Sequence, residues 1–155
     1  VAGANSYKWG TSYLAIGGGV GVVVPVDKEL PFSDIKSIFE VSELDAIIFD
    51  TKFGEKIFEH RDELPENLKY ICMDLKEDSN GVFSYDKLLE SGAHELENGN
   101  EDYINSAVDG NKLTVLLFTS GTTGMAKAIM LSADNICSDV RSIMGIVKIN
   151  KGERR

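Results

Sequence analysis

"LDAIIFDTKFGEKIFEHRDELPENLKYICMDL", residues 44–75, reads as strand, helix and strand in succession. Residues 44–50 are a short apolar run, the composition of a strand buried on both faces. Residues 52–60 place Phe53 and Ile57 four apart, on one face of a helix. At 68–75, "LKYICMDL" returns to strand composition. A strand, a helix and a second strand in that order predict a βαβ unit, in which the strands lie parallel and the helix covers them.

The same alternation continues on both sides. Upstream, Trp9, Tyr13 and Ile16 recur at helical spacing behind a cap at Ser6, and Gly17-Gly18-Gly19 ends that helix. The run "VGVVVPV" (20–26) predicts a buried strand, and Pro31 and Ser33 introduce a helix with Ile35, Ile38 and Phe39 on one side. Downstream, "SYDKLLESG" (84–92) predicts a short helix closed by Gly92, and residues 93–111 form an acidic, turn-rich surface connection. Two strands follow, "KLTVLLF" (112–118) and "KAIML" (127–131). Ser132 caps a last helix, with Asp134 in its first turn and Ile136, Val140, Ile143 and Met144 turned inward. The fold class expected is α/β: a mostly parallel sheet with helices on both faces.

Composition narrows the function. The chain has 155 residues and is 43% hydrophobic, enough for a globular core. Sixteen basic against 25 acidic residues leave a net charge of −9, which argues against a nucleic-acid footprint and against adhesion to anionic lipid. Cys72 and Cys137 sit in apolar surroundings outside any CxxC pair and are expected to be buried, reduced thiols. His60 and His94 lie in polar contexts, so a His/Cys zinc site has little to build on. The first residue is Val1, and a polar tail, Lys151-Gly152-Glu153-Arg154-Arg155, follows a helical pattern; both ends suggest a piece of a longer polypeptide.

Two glycine-rich stretches invite a phosphate. "GGGVG" (17–21) has the wrong order for a dinucleotide fingerprint, because the helix precedes it and the strand follows. "TSGTTG" (119–124) differs in kind. Gly121 and Gly124 let successive N–H groups converge, and Thr119, Ser120, Thr122 and Thr123 add four hydroxyls. Lys127 supplies a point charge within reach. Amides, hydroxyls and an ammonium together suit a polyphosphate. The loop is not a Walker A loop, since Met125 and Ala126 separate the lysine from the last glycine and a strand-like run follows. It is expected to join two strands.

"FTSGTTGMAKAIMLS" (118–132) resembles the phosphate-loop signature of the adenylate-forming (AMP-binding) superfamily, which includes acyl-CoA synthetases, peptide-synthetase adenylation domains and luciferases. Phe118, Thr119, Ser120, Gly121, Thr122, Thr123, Gly124 and Lys127 match the pattern. Ala126, Ala128 and Ala133 depart from it, standing where the family usually has proline, glycine and histidine. "GANSYKWGTSYLAIGGGVGVVVPVDKELP" (3–31) is similar to the family's early segment and looks most like bacterial long-chain fatty acid–CoA ligases.

The resemblance implies that residues 1–155 are part of an N-terminal AMP-binding domain, without its later motifs and without a C-terminal domain. It implies ATP-dependent activation of a fatty acid to an acyl-adenylate, then transfer to coenzyme A. ATP, Mg2+, coenzyme A and a fatty acid are the implied cofactors and substrates, with no metal ligand inside residues 1–155. The implied phosphate-binding set is Thr119, Ser120, Gly121, Thr122, Thr123, Gly124 and Lys127, with Lys127 catalytic. A cytoplasmic location is implied, with membrane contact only through the substrate. Two rival readings stay open: an amino-acid-activating domain of a peptide synthetase, and a non-catalytic nucleotide-binding module.

Overall fold

The computed structural model describes residues 1–119 and 127–147. In chain order come helices α1 (Tyr7–Ala15) and α2 (Phe32–Ser42), strand β1 (Ala46–Phe49), helix α3 (Thr51–Phe58), and strands β2 (Lys69–Cys72) and β3 (Val82–Ser84). Then come α4 (Tyr85–Glu97), β4 (Leu113–Thr119), β5 (Lys127–Ser132) and α5 (Ala133–Ile146). Strands β1, β2 and β3 form a parallel sheet in that order, with Ile48 opposite Ile71 and Ile71 opposite Phe83. Strands β4 and β5 pair antiparallel. The protein is therefore α/β with a parallel sheet and helices, as the βαβ reading of residues 44–75 predicts.

The core lies on one face of the parallel sheet. Ile47 and Phe49 from β1, Tyr70 and Cys72 from β2, and Val82 from β3 alternate inward with period two. They meet Ile35, Ile38 and Phe39 of α2 and Phe53 and Ile57 of α3. The outward positions of the sheet, Ile48, Ile71 and Phe83, face away from this core, and Ile48 and Ile71 line a cavity of about 820 Å³ bordered by α1 and α4. Lys8 of α1 ties these two helices together, donating to Asp86 of α4 and to the Met73 carbonyl. The Lys8 ammonium, and next that of Lys76, hold the Asp86 carboxyl below the usual range.

Four expectations need correction. First, residues 20–26 are not a continuous strand. Val20 and Val22 are exposed, and only Val23 and Val26 make isolated parallel bridges, to Val115 and Ala2. The preceding glycines carry the chain through a π-turn, Ile16–Val20, and Pro25 has no N–H to offer a ladder. Second, α4 runs through Gly92 to Glu97. A helical glycine with open space around it lowers stability by only about 1 kcal/mol, too little to stop a helix. Third, Val140, Ile143 and Met144 of α5 are about half exposed or more, because among the described residues nothing covers that face. Fourth, Cys137 shares that exposure; Cys72 alone of the two thiols is buried, and both are free.

Single backbone pairs link the two sheets. Val23 N–H donates to the Thr114 carbonyl and Leu116 N–H to the Val23 carbonyl, at 2.9 and 3.0 Å. Val26 N–H donates to the Val1 carbonyl, and Ala2 N–H donates to the Ile48 carbonyl, both at 2.9 Å. The Val1 amino group is buried there and donates to the Val24 carbonyl at 2.8 Å.

Candidate phosphate site

The β4–β5 hairpin builds the site from residues whose local structure is well determined by sequence. Strand β4 is β-branched and aromatic along most of its length, and Thr114 and Val115 are buried at its start. Leu116 and Phe118 pack against the main core. Burial of β4 decreases toward its end, and Thr119 is exposed. Strand β5 returns from Lys127, also exposed, and runs into α5.

The register is the central geometric fact. Phe118 lies opposite Ala128, and Thr119 lies opposite Lys127 as the last pair of the ladder. Directly opposed residues of an antiparallel pair hold their Cβ atoms about 5 Å apart. Two residues of the predicted set, Thr119 and Lys127, are therefore side-by-side neighbours in the last pair of the ladder. Ser120, Gly121, Thr122, Thr123 and Gly124 lie outside the described residues. Residues 127–132 are strand rather than the first turns of a helix, as the loop reading expects.

The base of the hairpin is clamped. Ser132 accepts from Asn135 N–H and the Asn135 side chain accepts from Ser132 N–H, a reciprocal capping box that fixes where β5 ends and α5 begins. Asp134 N–H donates to the Gly110 carbonyl at 2.9 Å, joining the start of α5 to the segment that enters β4. Among the described residues no acidic side chain forms an ion pair with Lys127, so no carboxylate there competes for its ammonium. Sequence reasoning missed the Val23–β4 pairing and the Gly110–α5 contact that hold this hairpin. Neither has a local signal, because each joins segments distant in sequence.

A second cluster of polar groups lies at the C-terminal ends of β1 and β2, where open α/β sheets commonly take ligands. Its carboxylates are engaged internally. Asp50 accepts from Ala4 N–H and caps α3 through Phe53 N–H, and Asp74 accepts from Thr51 N–H. Among the described residues no group of three or more His, Cys, Asp or Glu side chains could hold a metal ion, and no helix is long and apolar enough to cross a membrane.

Comparison with known proteins places this hairpin in a wider setting. The long-chain-fatty-acid–CoA ligase ACSBG2 of Xenopus laevis is 33% identical over 93 residues, which cover 58% of this chain and 12% of that protein. The long-chain-fatty-acid–CoA ligase heimdall of Drosophila melanogaster is 43% identical over 65 residues, 40% of this chain and 9% of that one. The chain thus matches a small part of the length of these relatives. A solved fatty acyl CoA synthetase of Mycobacterium tuberculosis shares the fold with a TM-score of 0.69 at 16% identity, covering 96% of this chain and 27% of that one. The family model for AMP-binding enzymes matches residues 1–154. The chain belongs to the AMP-binding enzyme family.

Proposed function

We propose that this chain supplies the phosphate-gripping part of an enzyme that activates a long-chain fatty acid with ATP and passes the acyl group to coenzyme A. The observation that supports this most is the pairing of Thr119 with Lys127 at the end of the hairpin, in a family member whose intervening residues read Ser-Gly-Thr-Thr-Gly-Met-Ala. The names of the relatives support a fatty acid as the substrate.

In this reading a fatty-acid carboxylate oxygen attacks the α-phosphorus of ATP, and the bond to the bridging oxygen breaks as pyrophosphate leaves. The coenzyme A thiolate then attacks the acyl carbon, and AMP leaves with the electron pair of its mixed-anhydride bond. The first step brings two anions together and builds charge on the leaving pyrophosphate. Donors already aimed at that charge lower the barrier because they need no reorganisation when it develops. The Lys127 ammonium and the hydroxyls of Thr119, Ser120, Thr122 and Thr123 take that role, while Gly121 and Gly124 bring backbone N–H groups close. Holding the triphosphate also aligns it for in-line attack.

Magnesium would share the phosphate charge. Such a site takes one or two carboxylates with phosphate oxygens and water, and among the described residues no group of three or more His, Cys, Asp or Glu side chains could hold a metal ion. The residues present here act on the nucleotide directly. We place residues 1–155 within the N-terminal AMP-binding domain of a cytoplasmic enzyme.

The experiment is carboxylic-acid-dependent exchange of labelled pyrophosphate into ATP. The full-length protein should exchange with long-chain fatty acids and not with amino acids. The 155-residue chain alone should not exchange, because the groups expected to hold adenine and ribose lie outside it. Exchange driven by amino acids, or exchange by the 155-residue chain alone, would overturn the assignment.

A further inference from the structure

The glycine triplet that fails as a cofactor motif has a different use. Gly17, Gly18 and Gly19 lie in the π-turn that continues α1, and Gly18 and Gly19 face the connection leading from α4 to β4. Tyr103 of that connection donates its phenolic hydroxyl to the Ala15 carbonyl at 3.2 Å, and Ser106 Oγ donates back to the Tyr103 carbonyl at 2.7 Å. A Cβ on Gly18 would stand 2.8 Å from Tyr103 Oη, with the next ring atom at an ordinary 3.9 Å. A Cβ on Gly19 would overlap Ser106 Oγ, and Gly19 also has a φ of +148°, which L side chains rarely adopt. Gly19 is therefore held to glycine by its backbone angle and by Ser106, whereas a methyl on Gly18 would press only on the hydroxyl end of the half-exposed Tyr103.

The same turn reaches β4 by a second route. Gly21 N–H closes it onto the Ile16 carbonyl, and two residues later Val23 pairs with Thr114 and Leu116 of β4. The start of β4 is thus held twice, through the connection seated on Gly18 and Gly19 and through the backbone of Val23. Five residues along, roughly 17 Å at strand rise, β4 presents Thr119 opposite Lys127.

The geometry points to Gly18, Gly19 and Tyr103 as positioning residues of the phosphate hairpin: they seat the connection into β4 and so set where its far end stands. They act through β4 and not through the Thr119–Lys127 pair itself. The role at ATP rests on the proposed function; the mechanical coupling to the hairpin does not.

A rescue experiment in the full-length protein separates this from general damage to the fold. Gly18→Ala should lower the maximal pyrophosphate-exchange rate roughly 3- to 10-fold, in line with modest overpacking, and leave the KM for fatty acid unchanged. Backbone amide exchange over 113–119 and 127–132 should speed up in parallel. Adding Tyr103→Phe removes the one atom the new methyl meets, together with the hydrogen bond to the Ala15 carbonyl, so both readouts should recover to within about twofold of Tyr103→Phe alone. Gly19→Ala should also loosen the hairpin, but adding Ser106→Ala should not restore it, because the backbone angle remains wrong.

Should Gly18→Ala fail to fold, Tyr103→Ala loosens the same seat without adding an atom and should speed hairpin amide exchange. An unaltered hairpin in Gly18→Ala or Tyr103→Ala, or a Gly18→Ala defect that Tyr103→Phe leaves in place, overturns the inference. If the wild-type protein has no exchange activity, the proposed function fails, and the amide-exchange arms still decide this question.

Discussion

Replacing Lys127 by alanine in the full-length protein should lower acid-dependent ATP–pyrophosphate exchange by roughly 10- to 1,000-fold, reaching at its upper end the effect of removing one preorganised donor. Thr122→Ala should act in the same direction. The ranking of fatty acids by chain length should hardly move in either variant, because the proposed function puts these groups at the pyrophosphate end of ATP, away from the acyl chain. Gly121→Val should be worse than any loss of hydroxyl, since a β-branched side chain obstructs both the backbone angles of the loop and the approach of phosphate. The measurement is exchange rate across a series of chain lengths, wild type against each variant. Variants that keep full rate but prefer a different chain length would make this loop a substrate-side element, and the roles proposed for its residues would fall.

Much of this architecture is legible in residue order, and the reasons are physical. Ile35, Ile38 and Phe39 repeat at helical spacing and all become buried, as do Phe53 and Ile57. The β1 and β2 runs are apolar enough to be strands in any sheet covered by helices, and Ser132 has the side chain an N-cap needs. Strand β3 escapes such reading because its three residues, Val82–Ser84, show no period. It exists because Asn80 and Gly81 turn the chain with positive φ and lay Val82 beside Tyr70. Residues 20–26 mislead in the opposite way. Their composition is that of a central strand, yet the glycine turn before them and Pro25 within them leave only Val23 and Val26 bridged.

The candidate site divides along the same line. Residue types at 119–127 point to the proposed phosphate chemistry through their hydroxyls, glycines and one lysine, a reading that rests on the resemblance of the whole motif and not on composition alone. That Thr119 and Lys127 stand opposite each other is not legible. It depends on the register in which β4 and β5 pair, Val115 with Leu131 through Thr119 with Lys127, which neither strand's own pattern fixes. The anchoring of β4 by Val23 and by the connection around Tyr103 is a tertiary effect with no local signal.

The contrast between two apolar helix faces gives the largest expected change in stability. Phe39 of α2 and Ile143 of α5 occupy equivalent places in their sequence patterns, yet Phe39 is fully buried and Ile143 is 49% exposed. Phe39→Ala removes a ring from the centre of the main core and leaves a cavity that the surrounding Ile35, Ile38 and neighbouring strands fill only in part. Such substitutions destabilise by about 3–5 kcal/mol. A domain of this kind holds only about 5–15 kcal/mol in total, so much of the stability should go. Ile143→Ala should shift it by less than about 0.5 kcal/mol, because little contact is lost and alanine favours the helix. Urea unfolding of both variants in the 155-residue chain, read by far-UV circular dichroism, measures the two values side by side. Equal losses would mean that the α5 face is covered in solution, and that Ile143 is packed there as firmly as Phe39 is in the core.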